Sequence, residues 1–74
     1  MKQKPLDQKW DHLMDLCRRE KELAGGGHAK LLRLVSKEID QLAAELGFTP
    51  RQVVEREFRA ERVNGRIVRL ITAS

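Results

Sequence analysis

One cysteine, Cys17, leaves the chain without an internal disulfide and fits a reducing compartment. Tyrosine is absent, and two Phe and one Trp are the whole aromatic complement. The core must therefore come mostly from Leu, Val, Ile and Ala. No run approaches the ~20 apolar residues that a membrane-crossing helix needs. The opening Met1-Lys2-Gln3-Lys4-Pro5 lacks the apolar stretch of a secretory leader. These absences point to a soluble, cytoplasmic protein with no membrane partner. Seventy-four residues make one domain, expected as a flexible tail over 1–5 and a single small domain over 6–74. A domain this small buries only about 60% of the surface its unfolded chain exposes, so packing has to be good or a partner has to help.

The residues that carry chemistry are equally sparse. His12 and His28 fall on different predicted helices, and no His/Cys set has zinc spacing. Cys17 lies on an apolar stripe, where a small core residue is the simpler reading than a nucleophile. Asp7, Asp11 and Asp15 are four apart and could attract a cation, but acids early in a helix already suit its dipole. Gly25-Gly26-Gly27-His28-Ala29-Lys30 lacks the spacing of a phosphate loop. The expectation is a protein that is not an enzyme and has no cofactor and no metal.

What is present is positive charge, unevenly spread. The net charge is +4. Residues 1–46 hold nine Lys+Arg against eight Asp+Glu, whereas 47–74 hold six Arg, no Lys and three Glu. The basic excess thus lies in the last third and is all arginine, whose planar fork suits phosphate and guanine edges.

Periodicity predicts a mainly α fold: three helices, a helix-turn-helix-like turn, and a small C-terminal β-hairpin or strand. Leu6, Trp10, Leu13, Cys17 and Ala24, widened by Met14, Leu16 and Leu23, predict a helix over 6–24. Gly25–Gly27 form a hinge. Leu32, Val35, Ile39, Leu42 and Leu46, with Leu31 and Ala43 beside them, predict a second helix over 28–46. That helix is either continuous or broken near Ser36. A third helix is expected over 50–60, with Val53, Val54 and Phe58 facing inward. A β element follows over 61–72. Asn64-Gly65 between β-prone residues signals a hairpin, but Arg59 to Val63 has helix-favouring composition. In the alternative, the third helix runs on to Val63 and 66–72 is a lone strand seeking a second chain.

The densest signal is the turn from Leu42 to Val53. Gly47 suits a left-handed helix end. Thr49 is an N-cap, Pro50 fits the first helical position, and Gln52 completes a capping box. Phe48 and Val53 can form a hydrophobic staple that fixes the angle between the helices. With Ala43 four residues before Gly47 and Val53 six after it, this stretch resembles the helix-turn-helix DNA-binding superfamily over about residues 39–58. With Asn64-Gly65 behind it, the C-terminal half resembles a winged helix-turn-helix. The chain departs from the pattern at Arg56, where the family has an aliphatic residue, and at Phe58, which comes two positions late.

The resemblance implies a small DNA-binding transcriptional regulator, working as a homodimer on double-stranded DNA. Arg51, Gln52 and Arg56 would reach base edges, Arg59 and Arg62 would meet phosphates, and Arg66 and Arg69 would follow the backbone from the wing. The same residues allow a plainer reading. Arg51–Glu55 and Glu55–Arg59 have i,i+4 spacing, and Glu55, Glu57 and Glu61 would repel phosphate. Under that reading the chain is a protein-interaction module, a small helical adaptor or inhibitor that docks on a larger enzyme or transcription complex.

Overall fold

The computed structural model describes residues 5–72; of the tail expected over 1–5, residues 1–4 lie outside them and Pro5 opens the first helix. Five elements follow in order: α1 (Pro5–Ala24), α2 (Ala29–Leu46), α3 (Pro50–Glu55), β1 (Ala60–Val63) and β2 (Arg66–Leu70). The fold is mainly α with a two-stranded antiparallel hairpin at its end.

α1 and α2 form a helical hairpin and share one core. Trp10, Leu13 and Leu16 of α1 meet Ile39 and Ala43 of α2, and Leu13, Ile39 and Ala43 are fully buried. The two apolar stripes expected from the sequence are narrower in the structure. Ala24 is exposed, Cys17 is half-buried, and Leu31 stands 52% exposed rather than packed beside its stripe. α2 does not break at Ser36. The Ser36 hydroxyl donates to Glu20 Oε2 of α1 at 2.5 Å instead of competing for backbone groups of its own helix.

α2 ends as the residue types require. Gly47 takes φ +98°, and the Phe48 N–H donates to the Ala43 carbonyl at 3.1 Å. Both halves of the capping box form. The Gln52 N–H donates to Thr49 Oγ1 at 3.2 Å, and the Thr49 N–H donates to Gln52 Oε1 at 3.0 Å. Phe48 and Val53, the two staple residues, are both buried.

The third helix is shorter than expected: it stops at Glu55, not at 60. Arg56 takes φ +56°, and the Glu57 N–H turns back to the Gln52 carbonyl at 2.9 Å. The cause lies in the apolar spacing. Phe58 comes five residues after Val53, about 140° round a helix from it at 3.6 residues per turn. A continuous helix cannot bury both. Ending at Arg56 lets Phe58 swing under Phe48, with ring centroids 5.0 Å apart. Val54, expected to face inward, is 79% exposed.

The hairpin pairs within the chain. Asn64 at φ +54° and Gly65 at φ +79° form its two-residue turn, the left-handed pair that matches strand twist. Glu61 faces Arg69, and Arg62 faces Ile67, so Val68 is left over as a bulge. Ile67 is buried and Leu70 packs against the same core. The helix-favouring composition of 59–63 is overridden because Ala60, Ile67 and Leu70 then lie on the core side of one sheet.

Candidate nucleic-acid interface

The two groups singled out beside Arg51 as base readers are already committed. Gln52 is 7% exposed. Its Oε1 accepts from the Thr49 N–H and its Nε2 donates to the Ile71 carbonyl at 2.9 Å, so it ties α3 to the chain after β2. Its expected place on a reading face is corrected: a capping Gln lies over the helix start, and here it is covered by the returning chain.

Arg56 is also corrected, for two reasons. It sits beyond the end of α3, and its guanidinium is held by protein. Nε and Nη2 donate to Glu20 Oε1 and Oε2 at 3.1 and 2.8 Å, and Nη1 donates to Asp40 Oδ1 at 2.8 Å and to the Val53 carbonyl at 2.7 Å. One side chain therefore joins α1, α2 and α3. The Arg56 guanidinium holds the Glu20 carboxyl below the ordinary carboxylate range, assisted by the Ser36 hydroxyl and opposed by burial. The same bond with Glu20 raises Arg56 further above the physiological range.

The other five arginines face solvent. Arg51 projects from α3 and meets Glu55 at 3.3 Å, one turn on. Arg69 pairs across the strands with Glu61. Arg62, opposite Ile67, lines a cleft of about 180 Å³ with Asp7, Asp11 and Gly65, so the hairpin places one cation beside the acids of α1. Arg59 and Arg66 make no ion pair among the described residues. Arg66 adjoins the Asn64-Gly65 turn at the tip of the hairpin, and Arg59 precedes β1.

The cation reading of Asp7, Asp11 and Asp15 is divided by geometry. Asp15 is engaged by Arg18 at 2.6 Å and Arg19 at 3.4 Å, and the Arg18 bond lowers its pKa. Burial pushes the Cys17 thiol up, away from the thiolate. Sequence reasoning missed Glu20 and Asp40 as partners of Arg56, and Ser36 as the second donor to Glu20. No local signal joins residues 36 or 16 positions apart.

No family model matches the chain, and no curated protein or solved structure matches it either. No helix among the described residues is long and apolar enough to cross a membrane.

Proposed function

We propose that this protein binds duplex nucleic acid through the phosphate backbone, using the solvent-facing arginines of its last third, Arg51, Arg59, Arg62, Arg66 and Arg69. The observation that carries the reading is the hairpin. Its strands hold Arg62, Arg66 and Arg69 and the segment before them holds Arg59, all solvent-facing, with Arg51 on the preceding helix. Arg59 and Arg66 stand without a carboxylate partner among the described residues. Such groups give affinity without sequence preference. The base-specific half of the helix-turn-helix resemblance loses support, since α3 has six residues and Gln52 and Arg56 are engaged elsewhere. The proposal is therefore an architectural or accessory DNA binder more than a reader of one site.

The test is titration with two unrelated duplexes at about 50 and 200 mM salt. Binding should be similar on both and fall steeply with salt. Arg59→Ala with Arg66→Ala should weaken both equally and reduce the salt slope by about 2. Absence of binding at the lower salt ends the reading.

A second reading rests on one feature. Val54, 79% exposed, borders an open groove of about 400 Å³ lined by Ala44, Phe48, Pro50 and Val53, with Asp40 at its edge. An apolar residue of a partner protein would fit there, and the chain would then be the interaction module. Val54→Asp abolishing an association that the arginine pair does not affect would favour this reading.

A further inference from the structure

A second surface lies on the helical hairpin, among residues 19–37. Leu31 and Leu34 are 52% and 59% exposed, though both are large and apolar. Between and around them Lys30, Arg33 and Lys37 are exposed on the first three turns of α2. Positions 30, 33, 34 and 37 have the spacing of one helix face, opposite the Ile39 and Ala43 face that enters the core, and Leu31 lies about 60° round the helix from Leu34, on the flank of the cations. Lys30, Arg33 and Lys37 make no ion pair among the described residues. Beside Leu31, a shallow groove of about 340 Å³ runs between the helices over Leu23 and Val35, with Arg19 and Glu22 at its rim. Glu38, exposed four residues after Leu34, puts one carboxylate on the leucine side of the helix a turn further along.

We infer that this face of α2 lies on the surface of an anionic bilayer. The leucines would enter the boundary between headgroups and acyl chains, and the cations would meet the phosphates around them. The chemistry separates this occupant from the others. A second copy packed on the same face about a two-fold axis would set Lys30, Arg33 and Lys37 against their own counterparts. A rigid protein partner is a poorer fit, because lysine is depleted in protein interfaces and the face offers no aromatic anchor. Long cationic stems beside exposed leucines are what an interfacial helix uses, since they can lie along lipid while their heads stay wet. The expectation of no membrane partner came from the absence of a spanning run; a helix lying in the interface needs no such run.

Co-sedimentation of the intact chain with vesicles of phosphatidylcholine alone, and with half phosphatidylglycerol, tests this at 100 mM salt. Binding should occur to the anionic vesicles and be much weaker on the neutral ones. L31S with L34S should reduce binding roughly tenfold or more with unchanged helical circular dichroism, because both side chains are already exposed. K30E with R33E should also release the protein, while R59A with R66A should leave vesicle binding near its starting level. Full retention by L31S/L34S would overturn the inference, reducing it to adsorption of a basic chain. No binding to anionic vesicles, or equal binding to neutral ones, would overturn it as well. So would a dimer in solution that L31S/L34S converts to monomer without any vesicle binding, which would give the leucines to a second copy.

Discussion

Arg56 donates to both carboxylate oxygens of Glu20, 36 residues away, from a backbone held at φ +56°. A glycine is the residue such a helix end favours. Arginine is kept there by what its side chain reaches: Glu20 of α1, Asp40 of α2 and the Val53 carbonyl of α3 at once. The same geometry makes a clamp of the side chain that the helix-turn-helix resemblance implied as a base reader.

Backbone and side chain pull in opposite directions at this position, and two substitutions separate them. Arg56→Ala should lose the clamp and keep the strained backbone, costing about 2 kcal/mol. Arg56→Gly should lose the same clamp but relieve the backbone, and be about 1 kcal/mol more stable than the alanine variant. Urea unfolding of the three proteins gives the order directly. Equal stability of the two variants would mean that the left-handed backbone is not a cost.

Acid should release the clamp. The pKa of Glu20 is lowered from its ordinary 4.5, chiefly by the Arg56 bond. A depressed carboxyl contributes stability that is complete above the ordinary value and is lost as the pH falls through the native one. Wild type and Arg56→Met should therefore converge in stability as the pH drops below 4.5, and differ most near neutrality. A gap that is constant with pH would show that Arg56 acts through packing alone.

Gln52 should behave as a structural residue. Gln52→Ala removes half of the capping box and the bond to the Ile71 carbonyl, and should cost about 1–3 kcal/mol. The amides of β2 should exchange faster in this variant. A protein of unchanged stability but altered DNA preference would return Gln52 to the role of a base reader.

The turn at Asn64-Gly65 can be probed without steric conflict, because nothing lies within 4 Å of a Cβ built on Gly65. Gly65→Ala therefore tests conformation alone. It should cost about 1 kcal/mol, since φ +79° is unfavourable for any L side chain. The loss should be concentrated in hydrogen exchange of β1 and β2, with α1 and α2 little affected. Uniform loss across the molecule would mean the hairpin and the helices unfold as one.

Local rules are enough to place the end of α2, the cap of α3 and the turn of the hairpin. Gly47, Thr49, Pro50 and Gln52 act on neighbours within five residues, and Asn64-Gly65 on the two strands it joins. Leu13, Ile39 and Ala43 declare themselves by periodicity, because a helix repeats its buried face every 3.6 residues. What only the tertiary structure decided lies beyond that reach. Whether α3 continues depends on Phe58 finding Phe48, and whether Arg56 and Gln52 are offered to a ligand depends on Glu20, Asp40 and Ile71, which come near only when the chain is folded. The exposure of Leu31, which lies beside the stripe, is of the same kind. A wide apolar stripe says that a helix buries one side, but a small core covers only part of the stripe, and packing alone selects which leucines stay outside.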